Sequence, residues 1–361
     1  MEAKDKSGLR LWHYGFVAST VGALVAVTAL VAGAPATAQG VATTHHVKAR
    51  HHSYDFDAPT AVALVGSNLF VANGDNKSVT EIKASNGSYV TTISGKHFGF
   101  DAPTAIVAVG NDLFVANSGN DSVTEFSASG HKHVRTIEGP SYGFSDPIAL
   151  ASSGQDLFVL NGTGSITEVA TATGTFVGTA SGSAYGFAEP TGMAVAGGDV
   201  FVANSAADTV TVLSAATRAF VASLSGSSFA FSTPTGVTFD GSNVWVTNAG
   251  DSSVTELSPT TLAALNVLVS GNLPMAGPIA SGDSYVFAVS PWGSSPMVTQ
   301  ITPSPASVNW MMCNTNGPYL FDNPQSLVVS GSNLWVVSEG SNSLTEMDAA
   351  SGDLIRTIFN P

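Results

Sequence analysis

The segment Phe56–Ile82, FDAPTAVALVGSNLFVANGDNKSVTEI, returns 44 residues later as Phe100–Phe126, FDAPTAIVAVGNDLFVANSGNDSVTEF. Weaker copies continue to the C-terminus. Aligned on the proline that opens each unit, the copies start at Pro59, Pro103, Pro147, Pro190, Pro234, Pro274 and Pro324, at intervals of 44, 44, 43, 44, 40 and 50. The sixth unit is irregular, and Pro278 competes with Pro274 as its start. A repeat of this length marks an array of small units, each unable to bury its apolar surface alone.

Each unit divides into four short apolar runs. In the first they are Ala61–Val65, Leu69–Ala72, Ser78–Ile82 and Tyr89–Ile93, separated by Gly66-Ser67-Asn68, Asn73-Gly74-Asp75-Asn76 and Ala84-Ser85-Asn86-Gly87. Runs rich in β-branched and aromatic residues, bounded by Gly, Asn, Asp and Ser, are strand signals. None has the length or period of a helix. Several are apolar on both faces, which requires both faces to be covered. The expected fold class is therefore all-β: a seven-bladed β-propeller of four-stranded blades over residues 56–361. A β-helix would need a shorter period, and immunoglobulin-like modules about twice the length per unit. The ring is expected to close by packing complete blades, because Leu354–Phe359 supplies a fourth strand to the last unit. His45–Arg50 falls at the same place in the alignment and is expected to be loosely attached.

Residues 1–38 read as an export signal. Lys4, Lys6 and Arg10 precede the apolar run Phe16–Val31, and Ala36-Thr37-Ala38 supplies the small-x-small pattern for cleavage before Gln39. An uncleaved membrane anchor is the alternative, because Phe16–Ala34 is nearly long enough to span a bilayer. A secreted or envelope location follows from either reading. Residues 39–55 form a linker with His45, His46, His51 and His52. Removing the signal takes three of the 12 basic and two of the 26 acidic residues, leaving a net charge of −15. No basic stripe exists to neutralise phosphates, which argues against a nucleic-acid partner. The single cysteine, Cys313, excludes an internal disulfide and a multi-cysteine zinc site. It reads as a small buried hydrophobe, with an intermolecular disulfide as the sharper alternative.

The pattern F-x-x-P-[TS]-[AG], then G-x-x-[LV]-[FW]-V-[AT]-N, then [ST]-V-T-E, resembles the NHL and YVTN families of propeller repeats over most of the chain after Phe56. Where NHL repeats carry Asp after the second strand, this chain has Asn73, Asn117, Asn161, Asn204 and Asn248, then Ser290 and Ser338. The resemblance implies the fold. Its enzymatic members, gluconolactonase-like hydrolases and streptogramin B lyase-like proteins, imply an alternative function: a metal-dependent hydrolase or lyase working at the channel mouth.

Alternation within a blade places the loops between strands two and three on the same face as the connections from strand four to the next strand one. That face collects an aromatic pair before the proline of every unit but the sixth: Tyr54/Phe56, Phe98/Phe100, Tyr142/Phe144, Tyr185/Phe187, Phe229/Phe231 and Tyr319/Phe321. It also collects Asp57, Asp75, Asp101, Asp121, Asp146, Glu189, Asp208, Asp251, Asp322 and Glu339. The aromatic rings pack between blades or offer stacking surfaces; the acids are turn formers or an acidic rim that attracts a basic ligand. The candidate ligand-binding residues are Tyr54, Phe98, Tyr142, Tyr185, Phe229 and Tyr319 with Asp57, Asp101, Asp146 and Glu189. The asparagine series reads as turn closure through side-chain hydrogen bonds. Glu81, Glu125, Glu168, Glu256 and Glu346 recur in too many units for a catalytic acid and read as structural or solvated.

Catalytic signals are weak. Gly139-Pro140-Ser141-Tyr142-Gly143 fits the nucleophile-elbow pattern, yet it is a blade junction, and no histidine follows His133 to serve as its base. Inner-strand positions hold small residues, Thr60, Thr104, Thr191 and Thr235 among them, and supply no set of hard-cation ligands. Asp240 is the nearest acid and sits in a turn. The linker histidines hold no fixed metal geometry, and His131 and His133 read as solvated. The sequence thus points to a non-catalytic, cofactor-free and metal-free monomer that binds a protein, peptide or glycan ligand.

Overall fold

The computed structural model describes residues 53–269, 273, 276–282, 284–291, 296–313 and 321–360, with the side chains of Met311 and Cys313 excepted. The leader, the linker histidines, Pro274, Tyr319 and the Cys313 side chain lie outside the described residues. Those described form seven four-stranded antiparallel sheets, each in the simple order one-two-three-four along the chain. Blade one is Pro59–Val65, Asn68–Asn73, Ser78–Lys83 and Tyr89–Ile93. The first strands of neighbouring blades touch all the way round, and blade one packs on blade seven. Blade seven carries its own fourth strand, Leu354–Phe359, so the ring closes by packing of complete blades. Asn360 clasps the junction: its Oδ1 accepts from the Phe56 backbone N–H at 3.3 Å and its Nδ2 donates to the Phe56 carbonyl at 2.6 Å.

The repeated letters have physical jobs. The opening proline lacks an N–H, so it is tolerated as the first residue of a strand, beside a register shift such as that between Pro59 and Ala61. The threonine after it ties the ring from blade to blade. Thr60, Thr104, Thr191 and Thr235 each donate Oγ1 to the carbonyl that opens the next blade, at 2.8, 2.6, 3.0 and 2.7 Å. In blade six that carbonyl belongs to Ala276, so Ala276 holds the structural place of the opening proline, between the two prolines that compete for it in the sequence.

Asn73, Asn117, Asn161, Asn204 and Asn248 are all fully buried. Asn117 shows the pattern: Nδ2 donates to Val115 O, Ser122 Oγ and Thr124 Oγ1, while Oδ1 accepts from the Asp101 N–H. One side chain therefore holds strand two, strand three and the incoming connection together. An aspartate could not donate to these groups, which accounts for asparagine here. The strand-three threonine completes the clasp by donating to the first aromatic's carbonyl, as in Thr124 Oγ1 to Phe98 O at 2.8 Å.

The strand-three glutamates are buried at the seams between blades, not solvated. A buried carboxylate without a partner is costly, and four of the five have a cationic or titratable partner. The partner comes from either blade. Glu125 pairs with Arg135 (2.8 Å) and Glu346 with Arg356 (2.6 Å), each on strand four of its own blade. Glu81 pairs with His131 (2.7 Å) and Glu168 with Arg218, each from the turn of the next blade. Where the arginine comes from strand four, the next blade's turn carries glycine. A Cβ on Gly174 would lie 2.6 Å from Arg135 Cδ, and one on Gly87 would lie 2.9 Å from Arg356 Cδ. Where Arg218 comes from the turn, strand four has Gly178. In blade four, where valine replaces the acid, the same three places are apolar: Val212, Ala222 and Leu262. In blade six Gln300 replaces it and donates to the Ala349 carbonyl of the next blade. Glu256 is held by amides, accepting from Asn243 at 2.6 Å and Asn266 at 2.5 Å.

This arrangement predicts coupled mutational effects. Arg218→Leu leaves Glu168 buried and unpaired and should cost about 3 kcal/mol. Glu168→Val with Arg218→Leu copies the apolar seam and should cost about 1 kcal/mol or less. Denaturant unfolding of the three proteins checks this; equal losses for the single and double variants would refute the pairing.

Candidate functional site

The face expected to hold the site is built by hydrogen bonds between its two kinds of loop. Backbone N–H groups of the loop between strands two and three donate to carbonyls of the connection before strand one: Gly74 to Ala58, Gly119 to Asp101, Gly162 to Asp146, Ser205 to Glu189 and Gly340 to Asp322. The residue before each opening position adopts a positive φ: Ala58 47°, Ala102 44°, Asp146 53°, Glu189 47°, Thr233 48° and Asn323 49°. Non-glycine residues rarely accept this conformation. Here side chains of the preceding blade capture their N–H groups: Asn342 Oδ1 binds Ala58 at 2.8 Å, Asp121 Oδ1 binds Asp146 at 2.7 Å and Asp208 Oδ1 binds Thr233 at 2.6 Å.

These contacts sort the acidic residues. Asp121 and Asp208 hold the next blade's backbone, Asp251 accepts from Ser253 Oγ, and Asp101 pairs with Lys77 at 2.7 Å. Glu339 accepts from Asn323 and Gln325, both at 2.8 Å. Asp75, Asp146, Glu189 and Asp322 are exposed and Asp57 half-buried on the same face. Lys77 and Lys96 are the lysines of these loops among the described residues; Arg135, Arg218 and Arg356 belong to the fourth strands and the opposite turns. The face is therefore strongly negative. Burial raises the Glu339 carboxyl above its ordinary range, Gln325 partly offsets this, and Asp75 adds repulsion. Burial likewise raises Asp251, and Asp208 adds to it.

The aromatic residues sit deeper. Each described pair stacks within itself, with ring centroids 5.4 to 5.7 Å apart. The pairs join the apolar clusters between blades. Tyr54, Tyr142 and Tyr185 are half-buried and donate their hydroxyls to carbonyls in the turn between strands three and four: Gly87 at 3.1 Å, Gly174 at 2.7 Å and Arg218 at 2.8 Å. Phe229 is half-buried and Phe98 is buried, packed against His97 and His133. With their hydroxyl protons donated, the tyrosines keep ring surface and an acceptor oxygen. A shallow depression between blades two and three is lined by Asn120, Asp121, Glu138, Gly139, Pro140, Gly143 and Phe144. Ser141 of the elbow-like segment lies in this junction turn, where Tyr142 N–H bonds Gly139 O.

Other candidates resolve as scaffold. Asp240 caps its own turn through Oδ1 and accepts from Trp245 Nε1 at 2.7 Å. His131 is the partner of Glu81, and His133 bonds Thr136 at 2.9 Å. Burial and the neighbouring His97 lower the His133 pKa. Among the described residues no group of three or more His, Cys, Asp or Glu side chains is placed to hold a metal ion.

The fold and face together define a seven-bladed propeller with one acidic loop face. No family model and no curated protein matches the chain. Solved structures do. Hydrazine synthase of Kuenenia stuttgartiensis superposes with a TM-score of 0.65 at 15% identity, covering 84% of this chain and 99% of that one. Virginiamycin B lyase from Staphylococcus aureus gives 0.63 at 10% identity, covering 80% and 94%. A chain of the mitotic checkpoint complex gives 0.64 at 13% identity, covering 88% and 96%. At such identities the likeness extends to the fold alone, and its bearers include both an enzyme and a member of a protein assembly.

One seam carries a testable electrostatic flaw. Glu125 is pushed up to about 6, first by burial, against the pull of Arg135 and with repulsion from Asp112. The equivalent position holds Asn68, Asn243 or Asn333 in other blades, each donating to its glutamate. Because the folded pKa lies above the unfolded one, the native state binds the extra proton, and stability through this group rises as pH falls from above 6 toward 4.5. Asp112→Asn should add about 0.5–1 kcal/mol at neutral pH and reduce that rise. Unfolding midpoints at the two ends of this range, with an NMR titration of Glu125, test it.

Proposed function

We propose that this chain is an exported, non-catalytic binding module of the NHL/YVTN kind, and that its ligand is a basic segment of a protein or peptide received on the acidic loop face. The observation that carries the reading is the collection on one face of Asp57, Asp75, Asp146, Glu189 and Asp322. None of these side chains is spent in the hydrogen bonds that hold the loops. An extended negative surface raises the local concentration of cationic partners and speeds their encounter. The loops are tied together by backbone hydrogen bonds, and in blades two, three and four the asparagine clasp also grips the incoming connection, so little ordering accompanies binding. The rings of Tyr142 and Tyr185 lie between blades with their hydroxyls bonded to turns of the opposite face, so the acidic side chains carry the reading by themselves. No specific observation favours the hydrolase or lyase alternative: the inner threonines already donate to the next blade.

The test uses a lysine-rich decapeptide carrying a fluorophore. The wild-type protein should bind it at low salt, and Asp57→Asn/Asp75→Asn/Asp146→Asn/Glu189→Gln should bind at least about tenfold more weakly. The variant should unfold within about 2 kcal/mol of wild type, since these are surface changes. Equal affinity of the two proteins, or no binding at low salt, would sink the reading.

A further inference from the structure

Among the described residues, the seam between blades one and two is unlike the rest in what answers its strand-three residue. Arginine answers Glu125, Glu168 and Glu346, amides answer Glu256, and blades four and six carry Val212 and Gln300 instead of the acid. Glu81, its side chain 4% exposed, meets His131 Nε2 from the next blade's turn at 2.7 Å with one oxygen. Its other oxygen accepts from the Asn68 amide at 2.7 Å. A guanidinium stays charged throughout, whereas an imidazole gives up its proton between about pH 5 and 8. His131 stands where blade four has Arg218. Each reaches a glutamate fifty residues earlier, from a turn residue at positive φ, 52° for His131 and 62° for Arg218. The space differs. Gly178 is the cross-strand partner of Glu168, and Thr91 is that of Glu81. A Cβ on Gly178 would lie 2.7 Å from Arg218 Cζ, so threonine at this place calls for the shorter imidazole.

We infer that the Glu81–His131 contact is a pH-sensitive clasp between blades one and two, tight while the imidazole carries its proton and loosened as the pH rises through neutrality. Exposure suits the two groups to this. The His131 side chain is 33% exposed and exchanges protons with solvent, while the carboxylate it meets is dry. A buried carboxylate facing a neutral imidazole keeps a hydrogen bond but loses its counter-charge, and charge-assisted bonds are about twice as strong as neutral ones. The ion pair needs the proton, so its contribution is present on the acid side of the range and lost on the alkaline side. Other charged and titratable groups lie on the elements that pack here. Blade one adds Lys83 at the end of strand three, and its strand four, Tyr89–Ile93, adds no charge; blade two adds Asp112, Lys132 and His133. Lys83 and Lys132 are exposed, where solvent and salt screen them. Burial and His97 lower the His133 pKa, which gives that group the opposite sign. Across blade two's other seam Glu125, pushed up to about 6 by burial, has the same sign as the clasp.

Urea unfolding of the purified protein at about pH 5.5 and about pH 8 tests the inference. His131→Arg/Thr91→Gly copies the seam between blades three and four, and His131→Gln keeps a donor without the charge. Between the two pH values the ratio of folded to unfolded molecules should fall at least about fivefold further in the wild type than in either variant. His131→Gln should lie within about twofold of the wild type at the alkaline end and below it at the acid end. Glu125 and His133 are present in every protein compared, so their titrations cancel. Circular dichroism identifies a variant that fails to fold, and the wild type supplies a readout of its own. Its Asn68 side-chain amide, bonded to Glu81, should shift in NMR spectra with the same midpoint as the His131 imidazole. A parallel loss of stability in the wild type and the folded variants overturns the inference. So does an Asn68 amide signal that stays in place while His131 titrates.

Discussion

A blade of this ring has no free face, and every polar group placed on strand two or three must find its partner inside the seam. The arrangement rests on the buried asparagine at the end of strand two. Its amide donates to strand three, and in blades two, three and four its oxygen receives the incoming connection. That single side chain sets the approach of one blade to the next, because the connection it grips carries the aromatic pair that fills the seam. In blade seven Ser338 occupies the position, and the burden shifts to Asn342 and Asn360, which bind blade one's Ala58 and Phe56 directly. Among the described residues the ring closes through these contacts, a hydrogen bond from the Val62 N–H to Ser326 Oγ and apolar packing, with blade seven supplying its own fourth strand.

The seam carboxylates obey a second constraint, that of local neutrality. Low dielectric makes a lone buried charge expensive. The chain meets the requirement in different ways at different seams: an arginine from the same blade, a histidine or arginine from the next, amides, or no acid at all. Steric accommodation accompanies each choice, since glycine appears where an incoming arginine needs the space. Glu125 is the least comfortable member, because Asp112 stands where other blades place an amide donor. A uniform repeat would have hidden these alternatives; its degeneration exposes them.

Rigid seams explain why the loop face can be a site at all. Three of the six backbone groups at positive φ are held by the preceding blade, and backbone hydrogen bonds tie the loops together, so the exposed carboxylates sit on a fixed frame and their mutual repulsion is not relieved by moving apart. A basic ligand, as proposed, would relieve it instead.

Much of this was legible in the residues. Prolines spaced by 44, four turn-bounded runs per unit and apolar strands on both faces determine a ring of seven four-stranded blades, because no other stacking covers every face at that period. The exposed acids were also legible as one face, from strand alternation alone. The partners of the buried glutamates were not. Arg135 and Arg218 occupy different places in the repeat, and Glu168 meets Arg218 fifty residues away only when one blade lies on the next. The sixth unit's opening at Ala276 was hidden for the same reason, since a carbonyl can be recognised there only by the threonine that binds it. The repeat asparagine began as a turn former in a recurring string and ends as the clasp of the whole ring. Local chemistry determined which residues turn and which extend, while the contacts between blades, which no repeat unit contains by itself, decided what each buried polar group does.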